Sequence, residues 1–221
     1  MTDCAFIVGV VIFVSVKVKN RYNIVNFIFF NEENIADFGF KCFCYNSFGG
    51  IKMVELVKVT ADKKDVLNNL TEKYLYEFSQ WDKTDIGEDG LFGYEYLDCY
   101  FTEENRFPYF IKVDGKLAGF VLVNDYPEVE GRKTDFCLSE FFILYKYRRN
   151  GIGREAVRQV LDRHHGKWQL KRHPRNLASV YFWNKVIDEL TGGNFELIKA
   201  YPDRRADYED GTPADVFFFE N

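Results

Sequence analysis

The apolar and polar positions of residues 54–219 follow two periods, and the changes between them predict eleven elements. Alternating or continuous apolar stretches predict strands at 54–60, 108–114, 116–124, 134–145, 167–171, 195–201 and 214–219. Apolar residues three or four positions apart predict helices at 62–78, 94–101, 151–165 and 176–190. Asp114-Gly115 separates two of the strands and is a strong signal for a tight hairpin turn.

Two of these elements are distinctive. The stretch 134–145 is apolar almost throughout, which predicts a central strand buried on both faces. The stretch 176–190 has apolar residues on nearly all sides, which predicts a well-buried helix. The order of elements predicts one α/β domain of mixed, α+β-like character, with a central mixed sheet and helices on both of its faces.

The first 52 residues differ in composition from the rest. Thirty of them are apolar, only nine are charged, and they hold nine of the 23 phenylalanines. The uncharged run at 4–16 is shorter than the roughly 20 residues of a membrane-spanning helix, and it lacks the basic start of a signal peptide. A membrane span or signal peptide is therefore the less favoured interpretation, and a β-rich N-terminal extension stays open.

A second interpretation of this segment concerns the start of the protein. The codons of Gly49-Gly50 can encode a ribosome-binding sequence at the right distance upstream of Met53. We therefore expect residues 1–52 to be an extension that is not part of the natural product, and 53–221 to be the functional domain. N-terminal sequencing from the native host tests this, and a peptide spanning Lys52–Met53 would overturn it.

Charge and chemistry-bearing residues exclude several classes of protein. The net charge of −5 disfavours nucleic-acid binding through a basic surface. The five cysteines form no disulfide or zinc framework, which fits a reducing, cytoplasmic location. His164, His165 and His173 have no metal-ligand spacing and are predicted on the surface at a helix end. We expect neither a metal site nor membrane association.

The junction between the strand at 134–145 and the next helix carries the informative motif. Gly151 and Gly153 lie two positions apart where the strand turns into the helix, so backbone amides can approach a ligand closely. A helix N-terminus adds free N–H donors and a partial positive charge, which suits a phosphate or pyrophosphate. Arg148, Arg149 and Arg154 add positive charge. An ordinary tight turn is the competing interpretation.

The pattern Arg148-x-x-Gly151-x-Gly153, together with Asn176-x-x-Ser179-x-x-Phe182-Trp183-x-Lys185, resembles the GNAT-type N-acetyltransferase superfamily. The resemblance covers about 165 residues and none of 1–52. It implies a GNAT-like central mixed sheet flanked by helices, and acetyl-CoA as co-substrate. The activity it implies is transfer of an acetyl group to a primary amine.

The resemblance also implies which residues bind the cofactor. Backbone groups of Phe142, Ile143 and Leu144 would pair with the pantetheine arm, as an added strand would. Asn176 would bond to the arm and Phe182 would pack near it, although core packing stays open for Phe182. The pyrophosphate would lie in the turn and helix start formed by Arg148, Arg149, Asn150, Gly151, Ile152, Gly153 and Arg154.

The catalytic candidates are fewer, and one familiar residue is replaced. Many relatives have a tyrosine where this chain has Trp183, whose N–H cannot protonate the leaving CoA thiolate. Water or Tyr145 could do so, or the thiolate could leave unprotonated. Glu140, on the central strand, is the candidate general base for the amine, because apolar neighbours would raise its pKa. A carboxylate paired to a basic residue at the sheet surface is the alternative.

The segment 82–104 suggests the acceptor. It holds eight acidic residues, one lysine and several aromatic residues, which suit a small cationic amine through charge attraction and cation–π contacts. A solvated acidic face is the competing interpretation. Two other functions stay open, namely a protein or peptide N-acetyltransferase and a non-catalytic acyl-CoA-binding module. Exposed aromatic residues and the family's habits favour a homodimer.

Overall fold

The computed structural model describes residues 51–221 and, before them, the backbone of three short strands. The rest of the N-terminal segment, including most of the expected extension, lies outside the described residues. The strands are β1 (Val11–Ser15), β2 (Val25–Phe29), β3 (Cys42–Tyr45), β4 (Ile51–Lys58), β5 (Arg106–Val113), β6 (Lys116–Asn124), β7 (Phe136–Ile143), β8 (Lys167–Arg172), β9 (Phe195–Ile198) and β10 (Asp215–Glu220). The α-helices are α1 (Lys64–Asp82), α2 (Cys99–Thr102), α3 (Ile152–Arg163) and α4 (Leu177–Thr191).

Eight of these strands form one mixed sheet in the order β3-β4-β5-β6-β7-β8-β10-β9, and β1 pairs with β2 separately. The β7–β8 pair is parallel and the other described pairs are antiparallel. The edge strand β3 lies beside β4, with Cys42 opposite Val54 and Phe43 opposite Met53. The predicted mixed sheet is therefore present.

The helices lie on both faces of the sheet, as predicted. On β6, Val121 and Val123 pack into the core cluster that contains residues of α3 and α4. The alternate residues Phe120 and Leu122 pack into the cluster that contains residues of α1. Because successive side chains of a strand point to opposite faces, the two clusters lie on opposite sides of the sheet.

Two local predictions have clear structural counterparts. Asp114 and Gly115 both adopt positive φ angles, 51° and 74°, and form the tight turn between β5 and β6. Helix α1 continues four residues beyond its predicted end at 78, and it stops where Lys83 takes a left-handed conformation and donates its N–H to the Ser79 carbonyl.

The prediction that the last helix is buried on nearly all sides is wrong. Trp183, Val186 and Ile187 of α4 are buried, but Leu177 and Tyr181 are more than two-thirds exposed. These two side chains face a cleft rather than the core, which explains why apolar residues stand there.

The prediction for the histidines is also wrong in part. His164 and His173 are buried, whereas His165 is exposed. His164 packs against Phe107 and Phe136, and its Nε2 lies 2.9 Å from the Tyr109 hydroxyl. Burial lowers the pKa of His164 to about 4, so its ring is neutral at physiological pH.

No helix within residues 51–221 is both long enough and apolar enough to cross a bilayer.

Candidate active site

The central feature is the divergence of the two parallel strands. β7 and β8 are paired only at their beginnings, where Phe136 lies opposite Trp168 and Cys137 opposite Gln169. Beyond these positions β7 continues to pair with β6 alone, and the gap towards β8 widens into a cleft. The unpaired edge of β7 therefore offers backbone donors and acceptors to an extended ligand.

The strand β7 carries a bulge within this divergent region. Val123 lies opposite Leu138 and Leu122 opposite Glu140, so Ser139 is the extra residue between them. The Asn124 side chain holds the bulge in place by donating to the Ser139 hydroxyl over 2.6 Å. The bulge changes the direction of the strand immediately before Glu140.

The turn after β7 has the geometry of an anion-binding loop. Arg149 and Gly151 adopt left-handed φ angles of 60° and 77°, and α3 begins directly afterwards. The first helical hydrogen bond runs from the Glu155 N–H to the Gly151 carbonyl. The amides of residues 152–154 precede it and have no acceptor within the helix, so they are the donors available to a phosphate.

The second glycine of the motif is required by a close contact. A Cβ at Gly153 would lie 3.0 Å from Phe182 of α4 and 3.6 Å from Phe141 of β7. Phe182 stacks on Phe141 with ring centroids 5.6 Å apart. Phe182 therefore packs against Phe141 and lines the cleft.

Arg148 lines the cleft, and its guanidinium is held in place by contacts with neighbouring residues. Its guanidinium forms a bidentate pair with Glu77 of α1, with both N–O distances at 2.7 Å, and its Nε donates to the Ile143 carbonyl over 2.6 Å. It also lies 4.0 Å from the centroid of the Tyr145 ring. In this arrangement Arg148 joins α1 to the end of β7.

The remaining cofactor candidates fall into two groups. Ten of the twelve line the cleft, whereas Leu144 and Ile152 do not. The Ile152 side chain is fully buried, and the Leu144 N–H donates to the Ala118 carbonyl. Arg154 pairs with Glu189, and the Asn176 side-chain oxygen accepts from the Ser179 N–H, which leaves the Asn176 amide NH₂ as its free donor.

The two catalytic candidates are not brought together. Glu140 lines the cleft, but Tyr145 is 75% exposed and is absent from the cleft lining. Trp183 is buried and packs edge-on against Phe141 and Phe182, so it supports the base of the cleft. Neither Tyr145 nor Trp183 therefore provides an acidic group inside the cleft, because Tyr145 lies outside it and the Trp183 N–H is not acidic.

Glu140 has the environment of a general base. Burial raises the pKa of its carboxyl group to about 7, and the nearby Glu128 acts in the same direction. Hydrogen bonds from Tyr74 and Tyr94, together with the charge of Lys171, act in the opposite direction. The Tyr94 hydroxyl donates to Glu140 Oε1 over 3.2 Å. The carboxyl group can therefore exchange a proton near neutral pH.

The cleft is continuous from the start of α3 to the region around Glu140, with a volume of about 1900 Å³. Near Glu140 its walls are largely aromatic, with Phe78, Trp81 and Tyr208, and they carry both the acidic Asp82 and the basic Lys171.

Most of the acidic segment 82–104 does not face the cleft. Asp82 is the one member of its eight acids that lines it. Asp98 pairs with Lys64 on the surface, and Glu103 pairs with Arg106. The acidic wall expected from composition is therefore much smaller in the folded protein.

Three functional features could not be found from the sequence. Glu77 and Tyr94 are partners of the motif residues Arg148 and Glu140, but they lie 71 and 46 positions away in the chain. His173 lines the cleft, and its buried Nε2 has no hydrogen-bond partner. No sequence periodicity connects such residues, although Tyr94 belongs to the aromatic segment identified above. Residues 52–221 contain no cluster of side chains that could hold a metal ion.

Comparison with known proteins identifies the family. A model of the acetyltransferase (GNAT) family matches residues 70–187, more than half of the chain. The chain belongs to this family and is an N-acyltransferase. A search of curated protein sequences finds no match.

Solved structures of the family have the same fold. An acetyltransferase from Streptococcus agalactiae has a TM-score of 0.54 and 14% identity, over 76% of this chain and 94% of its own. An acetyltransferase from Thermus thermophilus has a TM-score of 0.52 and 14% identity, over 75% and 94%. The aminoglycoside acetyltransferase AAC(6′)-Ib, solved with coenzyme A, has a TM-score of 0.52 and 16% identity, over 76% and 95%.

Proposed function

We propose that the protein transfers the acetyl group of acetyl-CoA to the primary amine of a small cationic molecule. The observation that carries this proposal is the uninterrupted cleft, which joins an anion-binding helix start to a carboxyl group that titrates near neutrality. The first end suits a pyrophosphate, and the second suits an amine that must lose a proton.

The residues present fit acetyl-CoA as co-substrate. The amides at the start of α3 would hold the pyrophosphate, with Arg149 and Arg154 beside it. The free edge of β7 would pair with the pantetheine arm through the Ile143 N–H, because the Phe142 carbonyl is directed at β6 and the Ile143 carbonyl accepts from Arg148. The exposed apolar side chains of Leu177 and Tyr181 on α4 would cover the arm from the other side. Bound there, acetyl-CoA supplies an activated thioester.

The proposed mechanism is direct attack with general-base assistance by Glu140. An amine with a pKa near 10 is mostly protonated at neutral pH, so a base must accept its proton before it attacks the thioester carbonyl. The new C–N bond forms, the C–S bond breaks and the CoA thiolate leaves. The second proton of the amine nitrogen passes to water or to the thiolate, which leaves a neutral amide. A thiol pKa near 8.5 makes this leaving group tolerable without a side-chain acid, so no proton transfer is assigned to Tyr145.

The lining of the cleft supports direct attack. Among the described residues, no cysteine lines it; Cys137 is fully buried and Cys99 lies elsewhere. Neither of the cysteines at 99 and 137, the two whose side chains the structure describes, is therefore placed to carry a covalent acetyl intermediate. Initial-rate kinetics should show a sequential pattern in both substrates, and a ping-pong pattern would contradict direct attack.

Small cationic acceptors are supported by the far end of the cleft. Asp82 supplies a carboxylate, and Phe78 and Trp81 supply aromatic rings on which a cation can lie, whereas Lys171 already lies over the Tyr208 ring. We also infer that residues 53–221 are the functional domain, because every described residue that lines the cleft lies between Tyr74 and Tyr208.

The test is thiol release from acetyl-CoA by the full chain, against a panel of mono- and diamines, amino acids and lysine-containing peptides. Glu140→Gln is the matched variant. We expect release with small cationic amines that depends on Glu140. Release with peptides alone would favour a protein acetyltransferase. Binding of CoA without release for any amine would favour a non-catalytic acyl-CoA-binding module.

A further inference from the structure

The connection between α1 and α2 reaches the candidate base from the acceptor side of the cleft. Tyr94 lies in this connection, and its hydroxyl donates to Glu140 Oε1 over 3.2 Å. The Tyr94 side chain also lines the cleft. A residue from a connecting segment therefore completes the surroundings of a carboxyl group that belongs to the central sheet.

The connection is fastened at the two residues that precede Tyr94. The Glu72 carboxylate on α1 accepts hydrogen bonds from the backbone N–H groups of Phe92 and Gly93, each over 2.8 Å. Two charge-assisted bonds to neighbouring amides fix both the position and the direction of the chain at this point. On the other side, the Leu97 N–H donates to the Tyr94 carbonyl over 3.1 Å.

We propose that Tyr94 is a positioning residue for Glu140, and that Glu72 holds the connection so that the Tyr94 hydroxyl reaches the carboxylate. This inference rests on the proposed role of Glu140 as the base. The Tyr94 O–H donates to the charged form of the carboxyl group, so it fixes the orientation of the carboxylate and favours ionisation.

Several other groups face Glu140 and define the background for this effect. They are Tyr74 on α1, Tyr100 on α2, Glu128 between β6 and β7, Lys171 on β8 and Tyr208 between β9 and β10. Glu128 and Lys171 pair with each other over 3.1 Å, so their opposite effects largely cancel. Tyr74 acts in the same direction as Tyr94 but belongs to a helix, so Tyr94 is the donor whose position depends on the connection.

The decisive variant is Tyr94→Phe, which removes one hydroxyl and keeps the ring. Loss of a hydrogen bond to an ionised group should move the acidic limb of the pH–rate profile upwards by about one to two pH units. At pH values on the acidic limb the rate of the variant should therefore be about tenfold or more lower than that of the wild type, and on the alkaline plateau the two rates should be similar. Tyr76→Phe, at an exposed position on α1, is the matched control and should leave the limb in place.

A second readout needs no substrate. The ionisation of Glu140 also changes the free energy of unfolding with pH. Subtracting the pH curve of Glu140→Gln from that of the same protein with Glu140 leaves the limb that belongs to this carboxyl group. Tyr94→Phe should shift this limb upwards too, even if the protein proves to have no transferase activity. If Tyr94→Phe does not fold, Glu72→Gln should produce a smaller shift in the same direction. An unmoved limb in the variant that folds would overturn the proposal.

Discussion

Replacement of Glu140 by glutamine tests whether the Glu140 carboxyl group has a raised pKa and acts as the general base. The change keeps the size and polarity of the side chain and removes its ability to ionise. In the folded protein the pKa of the Glu140 carboxyl is raised to about 7, against an ordinary value of 4.5. The difference of about 2.5 units corresponds to about 3 kcal/mol of free energy that disfavours the charged form in the folded state.

The sign of the effect on stability follows from proton binding. Between pH 4.5 and 7 the folded protein holds a proton on Glu140 that the unfolded chain has lost. The contribution of Glu140 to the free energy of unfolding is therefore full below about pH 4.5 and is lost as the pH rises through about 7. Glu140→Gln lacks this dependence. Between pH 5 and 8 the free energy of unfolding of the variant should therefore rise relative to that of the wild type by up to about 3 kcal/mol.

Two measurements check this reasoning. Urea unfolding of both proteins at pH 5, 6, 7 and 8 gives the difference curve, from which the other titrating groups cancel. Amine-dependent thiol release should fall by about 10²- to 10⁴-fold in the variant, without weaker CoA binding. Parallel stability curves would show that the carboxyl group is not perturbed. Unchanged turnover would remove Glu140 from the mechanism, and Glu95→Gln, at an exposed position, is the control for both.

Two further substitutions test the cofactor end of the cleft. Gly153→Ala should raise the KM for acetyl-CoA and cost about 1 kcal/mol of stability, because its Cβ would lie 3.0 Å from Phe182. The loss of stability should be smaller in a Phe182→Leu background, and equal losses in both backgrounds would refute the contact. Glu77→Gln should lower the free energy of unfolding by about 1–2 kcal/mol and raise the KM for acetyl-CoA, because Arg148 loses a partly buried bidentate partner. Glu196→Gln breaks a more exposed Arg–Glu pair and should cost clearly less stability, so similar losses in the two variants would contradict a special role for Glu77.

The sequence predicted those parts of the fold that depend on local patterns. The hairpin at Asp114-Gly115 and the helix at 152–163 follow from turn chemistry and periodicity, which are properties of a few neighbouring residues. The exposure of Leu177 and Tyr181 did not follow, because an apolar side chain has the same pattern whether it faces a core or a ligand cleft. The burial of His173 depends on Tyr208, 35 positions away, whose ring lies 4.4 Å from it.

In the candidate site, too, the sequence identified the residues that belong to one local stretch and missed their distant partners. The glycine turn and Glu140 are consecutive parts of one strand and the loop after it, so a single stretch of sequence identifies both. The residues that hold them in place come from α1 and from the connection after it, and sequence spacing gives no signal for such pairs. For the acidic segment 82–104, the sequence predicted more than the structure contains. Composition counts charges without their partners, and Asp98 and Glu103 are already paired with basic residues.

Helix α1 connects the two ends of the cleft through carboxylates five residues apart. Glu77 holds Arg148 at the start of the turn after β7, and Glu72 holds the connection that brings the Tyr94 hydroxyl to Glu140. A rigid helix keeps the distance between two such attachment points nearly constant. Helix α1 therefore sets the separation between the turn after β7 and the connection that contains Tyr94, and under the proposed function an acetyl group delivered along β7 would meet a base whose surroundings depend on the same helix.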